Sequence, residues 1–144
     1  MVRRMKAKDV PAVAQIEKEC FSQPWSEHSL MRYADDKDSI FCVCEIDGVI
    51  VGYAGMYYVY PEGDITNVAI REEYRGNGYA KALLEHMISV SKEHGVTEFT
   101  LEVRISNTKA ARLYEKLGFK NEGIRKNFYD NPREDAVIMW KHCT

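Results

Sequence analysis

No two of the four cysteines, at 20, 42, 44 and 143, are spaced C-x-x-C, and the four histidines form no ligand-spaced cluster with them. That excludes the common zinc frameworks and reads as a reduced, cytoplasmic chain without metal. Basic residues are not in excess. Lys and Arg number 20 against 22 Asp and Glu, a formal charge of −2, which argues against a dedicated binder of nucleic-acid backbone. Val49 to Tyr60 lies in the longest uncharged run, which falls well short of the ~20 residues a membrane helix needs, so no membrane partner is expected. The charged start, Met1 to Lys8, has no apolar stretch behind it and does not read as a secretory signal. Repeats, low-complexity stretches and Pro/Gly/Ser-rich linkers are missing too. The 144 residues therefore read as a single domain, 1–144, large enough for its own core.

What is present is an alternation of short strands and amphipathic helices. Residues 2–6 read as a short strand. Asp9 reads as an N-cap ahead of Pro11, opening a helix to Cys20 whose stripe includes Val10, Val13 and Ile16. Gln23-Pro24 breaks it, and Ser26 caps a second helix running to about Asp35. Two apolar runs, 40–46 and 49–60, flank Asp47-Gly48, a strong hairpin signal. Residues 61–64 read as a turn and 65–70 as a strand. A glycine-bearing loop then leads to a helix from Tyr79 to about His94, ended by Gly95. A strand over 97–104, a helix opened by Ser106-Asn107 and ended by Gly118, and strands over 119–129 and 134–140 complete the chain. The order implies an α/β fold, a mixed central sheet of about seven strands with about four helices on its faces. The passage from 65 to 104 should be a right-handed crossover between parallel strands.

The loop Arg75-Gly76-Asn77-Gly78-Tyr79-Ala80 lies between a strand and a helix. The first N–H groups of that helix lack internal partners and carry the positive end of its dipole, so a pyrophosphate is a sensible guest. The alternative is an ordinary glycine loop. A Walker loop is absent, and the third glycine of a Rossmann fingerprint is replaced by Lys81.

Arg75-x-x-Gly78-x-Ala80 resembles the Q/R-x-x-G-x-G/A signature of the GNAT N-acetyltransferase family, whose loop binds the pyrophosphate of acetyl-CoA. The order of elements matches that family over nearly the whole chain. Leu101 to Asn107 and Ala110 to Phe119 look like the family's second half. Pro24-Trp25-Ser26, the LEVR-x-SN run and Arg133 to Met139 resemble, more narrowly, the bacterial ribosomal-protein alanine N-acetyltransferases. The resemblance implies acetyl-CoA as co-substrate. It also implies a backbone site for the pantetheine arm at Val68, Ala69 and Ile70, and a splay of strands 65–70 and 97–104 to admit that arm. Asn107 is implied to bond the coenzyme, although capping of its own helix is equally open.

Acetyl transfer to an amine needs a proton acceptor, a donor for the tetrahedral oxyanion and a proton for the leaving thiolate. Glu102 shares a strand face with Thr100 and Arg104. Alone it could be a plain solvent-facing carboxylate; the resemblance makes it the base, working through water. Tyr114 lies on the apolar stripe of its helix and could simply be core, whereas the resemblance makes it the acid. Trp25 and Phe128-Tyr129 are candidate walls for the acceptor, with helix packing and strand core as the alternatives. Asp35, Asp36, Asp38, Glu62 and Asp64 could draw a basic peptide or merely form a solvated face. A sequence-distant cysteine offers no obvious acyl carrier, so direct transfer is expected.

Amine basicity helps choose the acceptor. At pH 7 an α-amine is roughly a tenth to a sixth neutral and lysine only about 0.04%, so lysine starts roughly 3.5 kcal/mol further from reaction. That favours a protein N-terminus, and the resemblance points to alanine of a ribosomal protein. A small-molecule or lysine acetyltransferase, or a non-catalytic acyl-CoA-binding module, are the other readings. A monomer is the default.

Overall fold

The computed structural model describes residues 1–34 and 36–143. Seven strands form one mixed sheet: β1 (Val2–Arg4), β2 (Ser39–Ile46), β3 (Val49–Val59), β4 (Glu62–Ile70), β5 (Glu98–Arg104), β6 (Lys120–Tyr129) and β7 (Glu134–His142). Their spatial order is β1-β2-β3-β4-β5-β7-β6. Four helices accompany them: α1 (Val10–Cys20), α2 (Glu27–Tyr33), α3 (Tyr79–Glu93) and α4 (Thr108–Lys116). Short 3-10 turns at Ala7–Asp9 and Glu72–Tyr74 add to the expected elements.

Local chemistry accounts for most boundaries. Asp47 and Gly48 both adopt positive φ, 51° and 80°, the geometry of a tight hairpin turn between β2 and β3. Ser26 accepts the Ser29 N–H and starts α2. Asn107 accepts the Ala110 N–H and starts α4, which settles the cap between Ser106 and Asn107.

Two expectations are corrected. Asp9 occupies the N-cap position of α1 with helical backbone and makes no side-chain cap bond to that helix. Its carboxylate instead takes the Arg3 guanidinium at 2.7 and 2.9 Å and the Lys6 N–H at 2.8 Å. The charge-assisted pair with Arg3 on β1 holds the carboxylate away from the free N–H groups of α1. The turn expected over 61–64 lies at Tyr60–Pro61 instead: β4 begins at Glu62, which pairs with both Val59 and Glu98. Gly63 is a packing glycine, since a Cβ there would lie 2.7 Å from Met56 Sδ.

The core divides by sheet face. On one face α3 and α4 pack Leu83, Leu84, Met87 and Tyr114 against Ile65, Phe99, Leu101 and Met139. On the other, α1 and α2 pack Val13, Ile16 and Leu30 against Phe41, Val43, Tyr53 and Ala69. That second cluster contains no residue of β5, β6 or β7.

Candidate active site

The site is the seam between the two halves of the sheet. β4 and β5 run parallel and pair over only three rungs, Glu62↔Glu98, Gly63↔Phe99 and Asp64↔Thr100. Beyond Asp64 no further rung joins them, which is the splay the sequence resemblance implies. β4 also carries an extra residue, Thr66, because Gly55↔Asn67 is followed by Met56↔Ile65 on β3. Such a bulge bends the strand at the point where it leaves its neighbour.

A cavity of about 620 Å³ runs through this gap. Glu17, Cys20 and Trp25 border it from the α1–α2 side, and Asn107, Ala110 and Tyr114 from the α4 side. Glu102 and Val68 line its walls, and Phe128 to Pro132 close one end. Two groups reaching the same space from opposite sheet faces suit a reaction in which donor and acceptor enter from opposite sides.

The expected residues fall into three groups. Glu102, Tyr114, Asn107, Val68, Trp25, Phe128 and Tyr129 all line the cavity. Ala69 and Ile70 are buried core residues behind it, on opposite faces of β4. The loop from Arg75 to Ala80 lies outside the cavity lining.

Glu102 is partly shielded, its side chain 19% exposed, with the Arg125 guanidinium 4.0 Å away. Tyr114 is buried and packs edge-on against Phe119 at 6.0 Å. Burial, and then Tyr129, push its phenol up to about 12. It therefore remains protonated throughout the neutral range, as a proton donor must. The Tyr129 phenol also rises to about 12, through burial first and the Glu102 charge second. Asp64, on the last paired rung, is pushed up to about 6 by burial and by Glu102, with Arg125 opposing.

The loop geometry favours backbone recognition. Gly76 and Gly78 have φ of 81° and 80°, and a Cβ at either would meet nothing within 4 Å. The cradle is thus open, and the positive φ requires glycine there. The Arg75 guanidinium turns away: Nε donates to the Ile70 carbonyl at 2.9 Å, and Nη2 lies 3.5 Å from Cys20 Sγ. The Asn77 amide folds back on the Tyr74 carbonyl at 3.0 Å. The free N–H groups at the start of α3 are what the loop offers an anion.

Trp25 is both a wall and an anchor, its ring 5.4 Å from Tyr33 and 6.2 Å from Phe41. Phe128 is 43% exposed and does not join the core; it stands edge-on to Tyr129 at 5.0 Å. Arg104 organises this end. Its guanidinium donates to the carbonyls of Pro132 at 2.9 Å and Asp130 at 3.2 Å, and to Glu134 at 3.2 Å. It also lies 4.4 Å above the Tyr129 ring. Glu134 in turn accepts the Ser106 N–H at 2.7 Å, beside Asn107.

Sequence reasoning missed several members. Cys20 reaches the cavity although it is far from Glu102 in the chain. Glu17, Tyr53, Asn67, Arg104 and Arg125 were also overlooked. Glu17 had a signal: it lies four residues after Val13, a charge on the buried stripe of α1. Of the acidic residues, only Asp64 reaches the neighbourhood of Glu102. Asp36 and Asp38 bond within the α2–β2 connection, and Asp35 lies outside the described residues. Among the described residues, no group of three or more His, Cys, Asp or Glu is placed to hold a metal, and no helix is long and apolar enough to cross a membrane.

Residues 10–119 match the model of the acetyltransferase (GNAT) family. A ribosomal protein bS18-alanine N-acetyltransferase of Escherichia coli (strain K12) is 35% identical over 140 residues, covering 96% of this chain and 94% of its own. The crystal structure of the ribosomal-protein-S18-alanine N-acetyltransferase from Escherichia coli superposes with a TM-score of 0.91 at 33% identity, covering 100% of this chain and 94% of that one. A PaiA N-acetyltransferase from Thermoplasma acidophilum, solved in complex with coenzyme A, shares the fold at a TM-score of 0.83 and 18% identity, covering 99% of this chain and 98% of that one.

Proposed function

The chain belongs to the acetyltransferase (GNAT) family, and from that premise we propose that it moves an acetyl group from acetyl-CoA directly to the α-amine of a protein N-terminus, the N-terminal alanine of a ribosomal protein. The observation that carries this reading is the cavity through the β4–β5 seam, with Glu102 and Tyr114 both on its wall. The acceptor named for the similar Escherichia coli proteins supports the choice of alanine.

In this reading the backbone of residues 76–80 holds the pyrophosphate, and the edge of β4 at 68–70, which β5 leaves uncovered, holds the pantetheine arm. The acceptor enters between Trp25 and Phe128-Tyr129. Glu102, through a water, takes the proton from the ammonium. The neutral amine attacks the thioester carbon, and an N–H of the β4 edge stabilises the oxyanion. The tetrahedral adduct collapses, the C–S bond breaks, Tyr114 protonates the departing thiolate, and the proton still on the adduct nitrogen passes to the Tyr114 phenolate, leaving a neutral amide and a neutral tyrosine. A tyrosine pushed up to about 12 is a weak acid, and a thiolate of ordinary basicity near 8.5 leaves with only modest help from it. Tyr114 therefore contributes less than Glu102.

Release of free CoA from acetyl-CoA with an Ala-initiated peptide tests this. Glu102→Gln should lower kcat by about 100-fold and Tyr114→Phe by about tenfold, each with acetyl-CoA binding retained. Cys20→Ala should keep most of the turnover. Loss of turnover in Cys20→Ala with a trapped acyl-enzyme in the parent would replace direct transfer by a covalent route. Tight acetyl-CoA binding without turnover on peptides or small amines would leave only an acyl-CoA-binding module.

A further inference from the structure

A fully buried carboxylate without a cation borders the acceptor side of the cavity. Glu17 is 1% exposed, and both of its oxygens are taken. Oε1 accepts the Trp25 N–H at 2.8 Å, and Oε2 accepts the Tyr53 hydroxyl. None of the ion pairs among the described residues involves it. The chain of bonds continues across the sheet. Asn67 Nδ2 donates to the Tyr53 oxygen at 3.1 Å, and Thr66 Oγ1 donates to Asn67 Oδ1 at 2.6 Å. It ends at the bulge of β4.

Packing alone does not call for this arrangement. Burying a carboxylate costs several kcal/mol even when it is hydrogen-bonded, and a leucine would fill the same helix stripe without that cost. A leucine could not accept a backbone N–H from the α1–α2 connection. Residues 21–25 have few other polar ties: Phe21 to Pro24 are exposed, and Trp25 is otherwise held by its ring against Tyr33 and Phe41. Glu17, Trp25, Thr66 and Asn67 all line the one cavity. Burial, and then the negative charge of Glu17, push the Tyr53 phenol up, so it stays a donor throughout the neutral range.

We propose that Glu17 is a positioning residue for the acceptor: through Trp25 on one side and Tyr53–Asn67 on the other, it fixes the α1–α2 connection against the bulged edge of β4. It touches neither the coenzyme nor the reacting atoms, and it acts on acceptor binding. The activity arm of the test rests on the acetyltransferase reading above; the spectroscopic arm does not.

The test uses a Trp140→Phe background, in which Trp25 is the sole tryptophan. Glu17→Leu, Glu17→Gln and Tyr53→Phe are compared by Trp25 emission and acrylamide quenching, by KM for an Ala-initiated peptide, and by Kd for acetyl-CoA. Glu17→Leu and Tyr53→Phe should move the Trp25 signal and raise the peptide KM by about tenfold while leaving the acetyl-CoA Kd within about twofold. Glu17→Gln should restore both, because its amide oxygen accepts the Trp25 N–H and its NH₂ can bond the Tyr53 oxygen. If Glu17→Leu does not fold, Tyr53→Phe and Glu17→Gln carry the same comparison. Unchanged Trp25 emission and peptide KM in folded Tyr53→Phe would overturn the proposal. So would equal losses in peptide KM and acetyl-CoA Kd. If the parent acetylates no peptide, the acetyl-transfer reading falls, and the Trp25 signal still decides the role of Glu17.

Discussion

On the β1–β4 side, helices cover both faces of the sheet, turns are tight, and side chains such as Tyr53, Phe41, Leu83 and Met56 are almost wholly buried. On the β5–β7–β6 side only the α3–α4 face is covered. β6 is exposed along most of its length, and its pairing with β7 slips twice. One half is a frame and the other is an adjustable wall. The proposed catalytic pair, Glu102 and Tyr114, lines the cavity where the two meet, since a gap can open there without breaking either half. The β4 edge proposed to hold the oxyanion and the bulge both belong to the frame. The loop proposed to frame the acceptor, held by Arg104, belongs to the wall.

This contrast separates two kinds of damage. Gly55→Val attacks the frame: a Cβ there would lie 2.5 Å from the Phe41 ring, so the core must shift. Overpacking of this kind costs about 1–3 kcal/mol and should lower Tm by several degrees, measured calorimetrically. Arg104→Met attacks the wall. It removes the charge-assisted bonds to the Asp130 and Pro132 carbonyls and the contact with Tyr129. We expect the peptide KM to rise by about tenfold with Tm little changed, visible in steady-state kinetics.

Gly78→Val probes the loop between them. The space is open, and the backbone conformation with φ of 80° is what resists a side chain. That strain, about 1–2 kcal/mol, should raise the acetyl-CoA Kd several-fold in calorimetric titration and leave the peptide KM alone. Asp64→Asn gives the smallest effect, because the side chain is still solvent-accessible and water screens its charge, and a definite sign. The folded protein holds the Asp64 carboxyl at about 6, above the unfolded value, so folding stability falls as pH rises from about 4 to 6. The Asn variant should be slightly more stable than the parent at pH 7 and above, and the gain should vanish below about pH 4 in paired melts.

Much of this was legible in the sequence because local chemistry decided it. Asp47-Gly48, Ser26, Gly95 and the α3 stripe act within a few residues of themselves, and the element order followed from them. Asp9 misled because its partner, Arg3, lies on another element. The 61–64 segment misled because Gly63 serves packing against Met56 rather than a turn, and composition does not distinguish those uses. Glu102, Tyr114, Asn107 and Trp25 were reached through resemblance to a family. Periodicity by itself had left Tyr114 between core and catalysis, and the structure shows it is buried and also faces the cavity. Glu17, Tyr53 and Asn67 were missed because their bonds join α1, β3 and β4, and no local pattern encodes such a meeting.

The central claim is transfer through the seam to an N-terminal amine, and one peptide tests it most directly. It begins with free alanine and carries an internal lysine. After incubation with acetyl-CoA, fragmentation mass spectrometry locates the acetyl group. The account predicts acetylation of the alanine α-amine, with lysine unmodified on the same timescale. Acetyl on the lysine alone, or on neither amine while an added small amine is acetylated and CoA is released, would contradict it.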